Sequence, residues 1–69
     1  MRAFIVGKYI DENEKGAVWD FIGIFASEER AILACKGERN YFVGPVMMGE
    51  QLENARIPWP GAYYPSAIF

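Results

Sequence analysis

Chemistry near neutral pH needs a group that gives and takes protons there, and this chain of 69 residues has no histidine. Its strongest nucleophile candidate is its single cysteine, Cys35. That thiol falls near the C-terminal end of a predicted helix, where the dipole disfavours a thiolate, and on the face predicted to be buried. It therefore reads as a packed, inert group. Glu28 and Glu29 are adjacent carboxylates, but neighbouring helix positions point apart and do not converge on one substrate. The polar run at residues 11–16 lacks the spacing of a calcium loop. A glycine-rich phosphate loop is absent as well. One local feature suits an anion: free backbone N–H groups at the predicted helix start, Phe25-Ala26-Ser27, can meet a small anionic ligand or nucleotide. Ordinary capping explains the same residues. The expectation is a protein that is not an enzyme and carries no cofactor and no metal.

The segment that organises the chain is a strand running into a helix. Residues 17–25 are rich in aromatic and β-branched types. Simple alternation puts Trp19, Phe21, Gly23 and Phe25 on one side and Val18, Asp20, Ile22 and Ile24 on the other. Gly23 weakens such a strand and marks a bulge or a close backbone approach. Ser27 is placed to cap the helix that follows, and Glu28 and Glu29 sit where its dipole favours negative charge. The helix runs through Lys36 and stops at Gly37, which takes the left-handed conformation readily. Ala31, Ile32, Ala34 and Cys35 share its small, apolar face, while Leu33 lies on the far side among Glu29, Arg30 and Lys36.

Around this unit the remaining elements follow in order. Residues 2–10 read as a strand apolar on both sides, with Phe4, Val6, Lys8 and Ile10 opposite Ala3, Ile5, Gly7 and Tyr9. That pattern predicts a central or doubly covered strand. Residues 11–16 form a hairpin loop. Residues 41–43 begin a third strand, Gly44-Pro45 interrupts it, and residues 46–48 resume it; a proline there predicts an edge or a bend. Residues 50–56 read as a loop or short helical turn. Three prolines stiffen residues 57–65 into an extended aromatic tail. Its Trp59, Tyr63 and Tyr64 are costly to leave in water and suit a flat apolar surface, either the chain's own sheet or a partner. The fold class is α+β, in the order β-β-α-β: a small antiparallel sheet of about three strands with one helix across a face, in a single domain spanning residues 1–69.

Composition narrows the function classes. A core at this size is marginal, and a lone cysteine without histidine supplies neither a disulfide nor a metal staple. Yet 52% of the residues are apolar and 16% aromatic. The excess predicts an unusually aromatic core or surface buried against another chain, with a homo-oligomer one outcome. A formal net charge of −2 argues against a basic nucleic-acid surface. No apolar run reaches the roughly 20 residues of a membrane span, and no secretory leader is visible. The single cysteine fits a reducing, cytoplasmic setting.

The stretch Trp19-Asp20-Phe21-Ile22-Gly23-Ile24-Phe25-Ala26-Ser27-Glu28-Glu29-Arg30-Ala31, followed by Cys35, by Phe42-Val43-Gly44-Pro45 and by Trp59-Pro60-Gly61-Ala62-Tyr63-Tyr64-Pro65, resembles small uncharacterised proteins encoded by bacteriophages and prophages. The resemblance covers most of the chain and carries no catalytic residue with it. It implies a phage-encoded protein in the cytoplasm of a bacterial host, of a kind that acts by binding, including inhibition of host or defence proteins. The expected function is thus a non-catalytic binding module for a protein partner. The rivals are a structural homo-oligomer or minor virion component, and a binder that sequesters a small anionic ligand. The candidate contact residues are Leu33 with Glu29, Arg30 and Lys36 around it, and Trp59, Tyr63 and Tyr64 of the tail.

Overall fold

The computed structural model of the chain describes residues 1–51, 59 and 61–68. It shows a small α+β fold with element order β1 (Arg2–Asn13), β2 (Gly16–Phe25), α1 (Glu28–Ala34), β3 (Tyr41–Met47) and α2 (Pro65–Ile68). The three strands form one antiparallel sheet in the order β2-β1-β3. β1 is therefore central, as its two apolar sides predict. Of the loop or short helical turn expected at residues 50–56, residues 52–56 lie outside the described residues, as do residues 57, 58 and 60 of the expected tail.

The hairpin is tighter than its polar composition suggests. Asp11 and Glu12 pair with Val18 and Ala17, and Asn13 pairs with Gly16, so the loop shrinks to Glu14 and Lys15. Asn13 drives this locally: its side-chain oxygen accepts the N–H of Lys15 at 2.8 Å, a bond that mimics a backbone turn.

Register shifts between Val6 and Gly7 and between Tyr9 and Asp11 bend the β1–β2 ladder. The first leaves Ile22 as an extra residue on β2, and a bulge of this kind reverses the alternation beyond it. Phe25, Gly23 and Asp20 consequently share the face of Phe4, Val6 and Lys8, while Trp19, Phe21 and Ile24 share the face of Tyr9, Gly7 and Ile5. Uniform alternation had placed Phe25 with Phe21 and Ile24 with Asp20. The bulge lies next to Gly23, the residue that marked one.

α1 packs between β2 and β3 on the first face. Ser27 Oγ accepts the N–H of Arg30 at 3.2 Å, as a cap should. The helix ends at Ala34, earlier than Gly37, because Lys36 already has φ +55° and Gly37 follows at +70°. Two successive left-handed residues turn the chain sharply towards β3. Ala31 and Cys35 are fully buried against Val6 and Val43, and Phe4, Phe25, Ile32, Ala34, Tyr41 and Tyr63 pack around them. Small helix residues let the helix approach this closely.

Trp59 and Tyr64 of the tail cover the opposite face. Trp59 is 3% exposed and packs on Phe42 edge-on, with ring centroids 5.6 Å apart. Its indole Nε1 donates to the Pro45 carbonyl at 3.0 Å. Trp19 and Tyr64 complete the cluster around Phe42, at 5.2 Å and 6.0 Å. The cluster needs bare backbone beneath it. A Cβ on Gly44 would run into the Trp59 indole, and one on Gly7 would meet Trp19 at 2.5 Å and Phe42 at 2.6 Å. The tail is not extended throughout: Tyr63 pairs with Val43 in an antiparallel bridge, and Pro65 then opens the short α2. Proline suits that first helical position, where its missing N–H costs nothing.

Candidate functional site

The two edges of the sheet differ in what they leave unused. β3 carries Pro45, which offers no N–H, and its Val43 exchanges both backbone hydrogen bonds with Tyr63 at 2.8 and 2.9 Å. Gly16–Phe25 forms the other edge, and among the described residues nothing pairs with its outer side. Proteins protect such edges with lysine, proline, a covering segment or a bulge. Here the bulge at Ile22 is present, Asp20 is the strand's only charge, and lysine and proline are absent.

The side chains along this edge are apolar and exposed. Phe21 is 60% exposed and Ile24 52% on the tail face. Ile22, turned out of alternation by the bulge, and Val18 are also exposed. A row of large apolar groups beside unpaired N–H and C=O groups is a docking strip for an extended segment: the backbone supplies hydrogen bonds, and the side chains supply area. Sequence reasoning missed these residues. Their signal was visible in ten residues with a single charge, but the strand's position at the edge was not.

The helix surface gathers the other predicted contacts. Leu33 is 75% exposed, and Glu29, Arg30 and Lys36 are exposed around it. Spacings of three and four put Glu29 and Arg30 beside Leu33. Lys36 stands beyond the helix end, tied by its N–H to the Leu33 carbonyl at 3.2 Å. The structure thus brings these four residues to one surface.

The tail aromatics are engaged within the chain. Trp59 is buried in the cluster just described. Tyr63 Oη donates to Glu28 Oε2 at 2.8 Å, clamping the tail to the first turn of α1. Burial first, then this bond and the Glu28 charge, push the Tyr63 phenol up to about 12. Tyr64 packs against Phe42 and is partly exposed. Cys35 is buried, donates to the Ala31 carbonyl at 3.4 Å, and has its thiol pushed up by burial. At the helix start that could meet an anion, the Arg30 N–H is taken by Ser27 Oγ.

Among the described residues no cluster of three or more potential metal ligands occurs, and no helix is long and apolar enough to cross a membrane. No family model, curated protein or solved structure matches the chain.

Proposed function

We propose that this chain is a non-catalytic binding module that docks a protein partner along the open edge of β2. The observation that carries the reading is the contrast between the edges: one closed by the chain's own tail, the other unpaired among the described residues and lined by Val18, Phe21, Ile22 and Ile24. Burying a single phenylalanine or isoleucine contributes roughly 1.5–3 kcal/mol, so a few such groups with a strand's hydrogen bonds supply a usable affinity. The sequence resemblance to phage and prophage proteins supports a bacterial host or defence protein as the partner, and inhibition in the bacterial cytoplasm as the outcome. Leu33, with Glu29, Arg30 and Lys36 as a polar rim, is the second contact surface in this reading.

The same edge also serves the homo-oligomer reading. β2 carries only Asp20 as a charge, so two antiparallel copies can pair without opposing like charges unless the register sets Asp20 against itself. The test compares Phe21→Asp/Ile24→Asp with Leu33→Asp. All three positions are exposed, so each variant should keep the wild-type melting temperature. Partner capture from a bacterial lysate, or self-association in sedimentation velocity, should be lost in the edge variant. Retention of both in that variant, with loss in Leu33→Asp, places the contact on the helix and overturns the edge reading.

A further inference from the structure

A hollow of about 480 Å³ lies where β1, the turn before β3 and the tail meet, lined by Tyr9, Arg39, Asn40, Tyr64, Ser66 and Ala67. Small-molecule sites commonly span about 300–1,000 Å³. We propose that this hollow binds a planar aromatic ligand carrying one anionic group, of the chemical class of a nucleoside monophosphate. This inference does not depend on the reading of the β2 edge.

The lining supplies each part of that ligand's recognition. Tyr9 of β1 and Tyr64 of the tail offer aromatic surface to a ring. The Asn40 amide and Ser66 hydroxyl can each donate and accept, which suits the edge of a heterocycle or a sugar hydroxyl. Among the described residues Arg39 is the one cation in the lining, and its guanidinium fits a phosphate or carboxylate in a two-pronged bond.

The walls are anchored to the sheet. Tyr9 N–H donates to the Asn40 carbonyl at 2.7 Å, which ties β1 to the turn bearing Arg39. Tyr64 follows the residue that bridges to β3, its ring packs on Phe42, and its carbonyl accepts from Ala67 at 3.0 Å.

Charge sets the limit on the ligand. Asp11 and Glu12 lie close enough to Tyr9 for their carboxylates to help burial push its phenol up. Tyr64 is likewise pushed up by burial and by Tyr9, so both phenols stay protonated donors at neutral pH. Each further negative charge on a ligand would meet the Asp11 and Glu12 field with Arg39 as the lining's one cation among the described residues. A monophosphate is therefore favoured over a triphosphate.

The experiment is an amide-resolved NMR titration of the full chain with adenosine 5′-monophosphate, adenosine, inorganic phosphate and adenosine 5′-triphosphate. The monophosphate should shift the Tyr9, Asn40, Tyr64 and Ala67 amides at millimolar or lower concentration. Adenosine should act on the same amides about tenfold more weakly, as expected for one lost charge-assisted contact. Phosphate alone should leave them unmoved, and the triphosphate should bind more weakly than the monophosphate. Arg39→Gln, at an exposed position, should melt like the wild type and bind monophosphate no better than adenosine. The inference is overturned by unmoved amides with monophosphate, by phosphate acting as strongly as monophosphate, by tighter triphosphate binding, or by an Arg39→Gln variant with unchanged affinity.

Discussion

β2 and β3 flank the same central strand, yet the chain treats their outer edges in opposite ways. At β3 the edge is finished: Pro45 removes a donor, Tyr63 takes up both groups of Val43, and Trp59 lies over Gly44. At β2 no described residue pairs with the edge, and Phe21 and Ile24 are more than half exposed beside it. One edge is committed to folding, and the other retains its capacity for contact. In so small a domain the difference is instructive, because burying Phe21 and Ile24 in cis would have strengthened a marginal core. Leaving them out is consistent with a second chain completing the surface.

Changes on the β3 side should cost stability, beginning with Trp59→Ala. Emptying a buried indole site costs about 3–5 kcal/mol, a large share of what a domain of this size holds. Thermal melting should show a collapsed transition, and truncation before Ile57 should likewise give an unstable or aggregating chain. A truncated chain with an unchanged melting temperature would contradict the tail's structural role.

Gly44→Ala is smaller and more pointed. The added methyl meets the Trp59 indole, and overpacking of this kind costs typically about 1–3 kcal/mol. Denaturant titration should show a lowered midpoint with an unchanged slope.

The smallest of the β3-side effects is at the Tyr63–Glu28 clamp. Tyr63→Phe keeps the ring and loses one exposed hydrogen bond, for a loss of about 1 kcal/mol or less at neutral pH. Its signature lies in alkaline solution. The folded phenol titrates near 12, above the ordinary 10, so above pH 10 the unfolded chain loses this proton while the folded chain keeps it. The contribution is whole below about pH 10 and disappears as pH rises towards about 12. Wild-type melting temperature should fall more steeply across that window than that of Tyr63→Phe. Parallel curves would remove the clamp from the account.

How much of this was legible in the sequence depends on how local each feature is. Ser27 as a cap and Ala31 with Cys35 on the buried helix face follow from neighbouring residues, and the structure has them as read. The central place of β1 follows from its two apolar sides, and the edge place of β3 from Pro45. The bulge at Ile22 was not legible as a reversal of faces, because alternation has no term for an unpaired residue. The helix was read too long, since Lys36, an ordinary residue by type, already takes the left-handed turn expected of Gly37. α2 was missed although Pro65-Ser66-Ala67 is a plausible helix opening, because the prolines before it favour an extended chain. The exposed β2 row was hidden for a different reason: alternation assigns Phe21 and Ile24 to a side of the strand, but only the strand order shows that nothing among the described residues lies beyond them.

The central claim, that the chain makes its contacts along β2, is tested most directly by a photoreactive residue placed singly at Phe21, at Leu33 or at Met47 and activated in a bacterial host. The account predicts a discrete adduct from position 21, whether to a host protein or to a second copy, a weaker one from position 33, and none from position 47 next to the closed edge. Adducts from position 33 or 47 with none from position 21 would contradict it.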